Sequence, residues 1–166
     1  YNLVQVHPNT VEHEDVKMRE LLEALATFST PSIILYPNID ASSSEVIKSM
    51  REFKNVKSFY YYKHFSLPIF VGLMKNAKCF IGNSSAIIRE SALFGTPSIN
   101  LGERQVHRET NANVFNCSFD KEAITRIYNE IKDKKFERKN LYFVENSSLK
   151  ISNQIMKLLE QKPEAK

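Results

Sequence analysis

Short apolar runs alternate along the chain with longer stretches in which apolar residues return every three or four positions, the spacings of buried strands and amphipathic helices. Leu3, Val4 and Val6 open the first run, and Met18, Leu21, Leu22, Leu25 and Phe28 form the helical stripe after it. Asn9, with Glu12 three residues on, would cap that helix, and Pro31 closes it. Ser32–Tyr36 reads as a second strand ending in Pro37-Asn38-Ile39-Asp40, after which Ser42 and Glu45 form the capping box of a helix carrying Val46, Ile47, Met50 and Phe53. A third strand is expected at Val56–Tyr60, followed by the turn Lys63-His64-Phe65. The next helix begins at Ser66 with Pro68 in its first turn, where proline is tolerated, and its stripe is Ile69, Phe70, Leu73, Met74 and Ala77.

The segment Lys78–Arg104 organises the rest. It gives a strand (Cys79, Phe80, Ile81), a polar turn (Gly82, Asn83, Ser84, Ser85), a helix, a break at Gly95-Thr96-Pro97 and a strand at Ser98–Leu101. Then come a loop dense in charge (Glu103, Arg104, Gln105, His107, Arg108, Glu109), a short strand at Val114–Cys117, and a helix capped by Asp120 with Ile124, Ile127, Tyr128 and Ile131 on one side. A last helix from Ser147 to about Glu160 presents Ile151, Ile155, Leu158 and Leu159, and residues 161–166 read as a frayed tail. About six strands alternating with helices predict an α/β, Rossmann-like, doubly wound parallel sheet. His7, Asn38, Lys63 to Phe65, Asn83 to Ser85 and Arg104 each follow a strand, so one edge of such a sheet gathers them into a single site.

Three features give that edge its chemistry. Ser84 or Ser85 can cap the following helix, leaving N–H groups for an anion, phosphate above all. Arg104, directly after Gly102-Glu103, has the fork that matches a diphosphate, with a surface ion pair as its plain alternative. Glu90 falls on the face of Ile87, Leu93 and Phe94 and lies too far from Ser84 and Ser85 to close a capping box. Either it reaches the sheet rim and grips hydroxyls, or the helix is turned so that it is solvated.

Composition narrows the field. The chain has 166 residues, 42% apolar and 25% charged, enough for one domain with a sizeable core. No apolar run approaches the ~20 residues that span a bilayer, and no signal peptide precedes the first strand. The two cysteines, Cys79 and Cys117, lack metal spacing and read as buried thiols of a cytoplasmic protein. Much of the net charge of +4 lies in Lys132–Lys139, a solvated run without interleaved aromatics, which argues against nucleic acid. Opening on Tyr1 and entering a strand at once, the chain reads as a single domain, 1–166, of a longer polypeptide.

Familiar catalytic motifs are missing. G-N-S-S-A lacks the final glycine of a nucleophile elbow, since Ala86 stands there. Neither G-x-G-x-x-G nor the Walker lysine motif occurs. His13, His64 and His107 have no i, i+4 partner for a metal pair, and His7 before Pro8 is by itself a turn residue or a ligand. No metal and no cofactor is expected.

Together HPNT, YPNID, YKHF, IGNSSAIIRE and FGTPSINLGERQVHRET, above all GNSS-x(3)-RE followed by FGTP-x-INLG-x-RQ, resemble the C-terminal domain of the UDP-N-acetylglucosamine 2-epimerases, closest to the hydrolysing branch. The resemblance runs from Val4 to about Leu159. It implies the second half of a glycosyltransferase-B-type fold, with a missing N-terminal domain of the same chain carrying the main acid/base carboxylates, and a homo-oligomer of the full-length protein. Carried over by motif, Ser84 and Ser85 would hold the diphosphate of UDP or UDP-N-acetylglucosamine, Arg104 would add charge there, and Glu90 would take the ribose hydroxyls. Phe65 would offer its backbone to uracil, and His7 and Asn38 would line the cleft, His7 being the candidate catalytic residue. The implied reaction eliminates UDP to a 2-acetamidoglucal, which water then attacks to give N-acetylmannosamine for sialic-acid or related synthesis. The non-hydrolysing epimerase, a glycosyltransferase domain and a non-catalytic binding module remain alternatives, and the domain alone is expected to turn over nothing.

Overall fold

The computed structural model describes residues 1–8, 14–38, 43–139 and 141–160. Six parallel strands form one sheet in the order β3-β2-β1-β4-β5-β6. They are β1 (Asn2–Gln5), β2 (Ser32–Leu35), β3 (Phe59–Tyr62), β4 (Cys79–Gly82), β5 (Ser98–Leu101) and β6 (Val114–Cys117). The helices are α1 (Glu14–Ala26), α2 (Ser43–Glu52), α3 (Leu67–Asn76), α4 (Ser91–Phe94), α5 (Lys121–Ile131) and α6 (Ser147–Glu160). Strand order reverses between β1 and β4, so the crevice where doubly wound sheets take ligands opens beside Gln5 and Gly82.

Alternation along the strands feeds a core on each face of the sheet. Val4, Ile34, Ile81, Ile99 and Leu101 pack with Met18, Leu21, Leu22 and Leu25 of α1 and Ile124, Tyr128 and Ile131 of α5. Leu3, Leu35 and Phe80 turn the other way, onto Met74 of α3 and Ile87. A buried Asn113 ties the β5 side together, donating to Ser91 Oγ at 2.9 Å and to the Thr96 carbonyl at 2.7 Å.

The structure corrects several expectations. β3 begins at Phe59 rather than Val56, because Val56 closes a turn, donating to the Phe53 carbonyl and accepting from the Phe59 N–H. Ile69 is exposed, so the buried stripe of α3 runs through Phe70, Leu73, Met74 and Ala77. The helix expected after Ser85 is a single 3₁₀ turn (Ser85–Ile87) followed by the one-turn α4. Ser91 Oγ, donating to the Ile87 carbonyl, takes the acceptor that a continuous helix would use. The Lys132–Lys139 run is more than a solvated face: Phe136 packs on Phe115 at 5.7 Å, and the Lys139 N–H reaches the Ala92 carbonyl.

On α6, Ile151, Ile155, Leu158 and Leu159 are all exposed, with no buried residue along the helix. No helix among the described residues is long and apolar enough to cross a membrane. Cys79 is a buried free thiol whose pKa burial raises; Cys117 is half-buried and pushed to about 11, first by burial and then by Asp120. The proposed Asn9–Glu12 and Ser42 caps, Asp40, His13 and the tail 161–166 lie outside the described residues.

Candidate functional site

β1 and β4 are joined beyond their ends by one side chain. The Asn83 N–H donates to the Gln5 carbonyl at 3.2 Å, as the ladder would continue, and then the Asn83 amide takes over from the backbone. Its Oδ1 accepts the His7 N–H at 2.7 Å and its Nδ2 donates to the His7 carbonyl at 2.8 Å, so a fully buried asparagine acts as one more strand residue. Gly82, at φ +148°, lets the two backbones come this close.

Replacing Asn83 with alanine removes both bonds to the backbone of the buried His7. The expected cost is about 2 kcal/mol, from the ~1–3 kcal/mol of an unsatisfied buried group, read as a lower urea midpoint.

The turn that follows leaves backbone donors unused. Ser84 takes the N-cap position and its Oγ accepts the Ala86 N–H at 3.4 Å, while the Ile87 N–H goes to the Ser84 carbonyl. Among the described residues the N–H groups of Ser84 and Ser85 have no acceptor, and successive free amides in a turn form an anion-binding concavity. With only a 3₁₀ turn behind it, this cradle depends on those two donors rather than on a long helix dipole.

Glu90 lies one turn further on, its N–H on the Ala86 carbonyl. The residue is half-buried and Oε2 is buried without a hydrogen-bond partner among the described residues. An orphaned buried carboxylate oxygen marks a place where a donor is missing.

Asn38 and Phe65 come together in a cleft of about 230 Å³ at the ends of β1, β2 and β3, walled by Gln5, Tyr36, Lys63, His64 and Phe70. Tyr62 packs on Phe65 with centroids 4.8 Å apart and the rings tilted by 39°. Ser84, Ser85, Glu90 and Arg104 are not among its walls. His7 is buried and joins the Ser84–Ser85 turn through Asn83. Arg104 is exposed, with no ion pair among the described residues, and its link to the turn is its neighbour: Gln105 Nε2 donates to the Asn83 carbonyl at 3.0 Å. Beyond the sheet switch, a hollow of about 620 Å³ is walled by Lys17, Gly102, Glu103 and Phe119.

Asn83 and Gln105 both lie within the motifs GNSS-x(3)-RE and INLG-x-RQ, but a reading by motif gives neither its bonds, Asn83 as the latch on His7 and Gln105 as the support of the Asn83 carbonyl. Glu20, Asp120 and Glu122 gather their carboxylates within 4.8 Å, but Glu20 accepts the Lys121 N–H and Asp120 caps α5 at the Ala123 N–H, which makes them helix-end supports.

Comparison with known proteins bears on this edge. A family model described as UDP-N-acetylglucosamine 2-epimerase matches residues 1–156. A UDP-N-acetylglucosamine 2-epimerase of Neisseria meningitidis serogroup B is 29% identical over 75% of this chain and 33% of its own length. A GDP/UDP-N,N'-diacetylbacillosamine 2-epimerase (hydrolyzing) of Campylobacter jejuni is 29% identical over 82% of this chain and 36% of its own. Among solved structures, a UDP-GlcNAc 2-epimerase of Methanocaldococcus jannaschii in complex with UDP-GlcNAc and UDP has the same fold, with a TM-score of 0.73 at 18% identity over 95% of this chain and 45% of that one. The chain thus spans less than half the length of each of these proteins.

Proposed function

The chain belongs to the UDP-N-acetylglucosamine 2-epimerase family, and from that premise we propose that residues 1–166 form the UDP-binding domain of a hydrolysing UDP-N-acetylglucosamine 2-epimerase. The two unpaired N–H groups of Ser84 and Ser85 receive the diphosphate, and the Arg104 guanidinium, free of other ion pairs among the described residues, adds positive charge to it. Glu90 accepts the ribose hydroxyls. Asn38 and the backbone at Phe65 line the uracil and sugar side, and His7 stands at the switch point beside the phosphate as the candidate catalytic group.

The observation that carries this reading is the pairing of a free-amide turn with an orphaned carboxylate oxygen one turn away, at the sheet's switch point. A nucleoside diphosphate supplies both complements, anionic oxygens for the amides and hydroxyl donors for the carboxylate. Elimination leaves charge on the departing diphosphate, and fixed N–H donors with a guanidinium stabilise it as it forms. Proton removal and return at the sugar fall to carboxylates of the partner domain. Water adds to the resulting 2-acetamidoglucal, giving N-acetylmannosamine and UDP for sialic-acid or related synthesis. The hydrolysing branch is favoured by the GNSS-x(3)-RE and INLG-x-RQ motifs and by the likeness to a relative named as hydrolysing.

Titrating UDP into this chain is expected to move the amide signals of the Ser84, Ser85, Glu90 and Arg104 segments together. Shifts confined to Lys132–Lys139 would defeat the assignment. The full-length polypeptide, incubated with UDP-N-acetylglucosamine and followed by NMR, should release free N-acetylmannosamine and UDP; UDP-N-acetylmannosamine would assign the non-hydrolysing reaction instead.

A further inference from the structure

Three strand ends meet at the phosphate turn, and Gln105 brings in the third. It is 5% exposed, leaves the end of β5, and places Nε2 at 3.0 Å from the Asn83 carbonyl, which in turn belongs to the residue that grips His7 on both sides. The orientation of the Gln105 amide is forced, since a carbonyl can only accept and Nε2 must face it. Oε1 is thereby left buried with no partner among the described residues. A leucine or methionine would fill the same space without that desolvated oxygen, so packing alone does not account for a glutamine here.

The geometry of one peptide unit links Gln105 to the ligand. The Asn83 carbonyl and the Ser84 N–H lie in a single planar trans peptide and point in opposite directions. Holding the carbonyl from one side therefore aims the Ser84 N–H to the other. The same contact fixes the main chain just after Arg104, whose exposed side chain has no ion pair among the described residues to hold it. We infer that Gln105 is a positioning residue for the diphosphate, a strut that sets the direction of the Ser84 donor and the placement of the Arg104 backbone at once. It touches no ligand atom itself. This rests on the UDP reading above and adds to it the residue that makes the cradle rigid.

The test compares UDP with uridine, which lacks the phosphates, in calorimetric titrations of this chain and its Gln105→Met variant. Losing the donor to a buried carbonyl should weaken UDP about tenfold and leave uridine unchanged. Equal weakening of both ligands means that Gln105 merely supports the fold, and an unchanged UDP affinity means that it positions nothing; either result overturns the strut while the UDP site stands. Failure of the unaltered chain to bind UDP at all would remove the functional reading and the strut with it. Should Gln105→Met not fold, the unaltered chain still decides, because hydrogen bonds in series polarise one another. The Gln105 side-chain amide signals should shift on adding UDP and stay in place with uridine, and signals indifferent to UDP overturn the inference.

Discussion

Gly82→Ala is expected to abolish the folded state. A Cβ at this position would lie 1.9 Å from the Gln5 carbonyl oxygen and 2.7 Å from its carbon, both backbone atoms of the neighbouring strand, and φ of +148° is a conformation that side chains with a Cβ rarely adopt. Relief would require β1 and β4 to part at the position where the Asn83 N–H reaches Gln5. The two strands are the centre of the sheet, so the displacement would pass into both cores. Losses of more than about 4 kcal/mol come from clashes of this kind, and they consume most of a typical domain's stability. Dispersion of the amide spectrum and the urea midpoint measure the effect. Gly72→Ala in α3 is the control, because a Cβ there meets nothing within 4 Å and alanine favours a helix. Should Gly82→Ala unfold at the same midpoint as the unaltered chain, the close approach of β1 and β4 is wrong.

Glu90→Gln should leave the fold intact and weaken UDP about a hundredfold, since hydrogen bonds to a charged acceptor contribute about 1.5–3 kcal/mol each and the ribose offers two hydroxyls. Uridine, which has the same ribose, should weaken by a similar factor. That separates Glu90 from Gln105, whose substitution is expected to discriminate between the two ligands. The sharper check uses 2′-deoxy-UDP. The unaltered chain should bind it less well than UDP, and Glu90→Gln should discriminate less between the two, because the amide keeps a single, uncharged acceptor oxygen. A variant that favours UDP over its deoxy analogue as strongly as the unaltered chain does would take Glu90 out of the ribose site. The buried, unpartnered Oε2 is the reason to expect so large a response from a substitution that alters the shape so little.

Much of the architecture is legible from the residues alone, for a physical reason. Strands of a parallel sheet covered on both faces are continuous apolar runs, and Cys79–Gly82 announces itself as such. β3 is less legible because it is the edge strand: Phe59–Tyr62 is aromatic throughout, with Tyr60 and Tyr62 exposed, and Val56 just before it is apolar for the sake of a turn. The path after Ser85 carries a helical period that the Ser91 hydroxyl interrupts, and periodicity cannot register a competing donor. On α6 the stripe of Ile151, Ile155, Leu158 and Leu159 is a correct reading of period, yet period says nothing about what covers a face.

The candidate site divides along the same line. Residues placed after strands could be gathered on one edge from topology, and Asn38 with Phe65 do share a cleft. The bonds that assemble the rest span 76 positions from His7 to Asn83 and 22 from Asn83 to Gln105, separations at which sequence spacing holds no information about contact.

The asparagine bridge between His7 and the Ser84–Ser85 turn has a mechanical consequence. Two loops that share a pair of buried bonds cannot open one at a time, and a third is lashed to them by Gln105. The rim from β1 across β4 to β5 is thus one hydrogen-bonded unit, and on the proposed UDP reading admission and escape of the nucleotide fall to whatever closes against it.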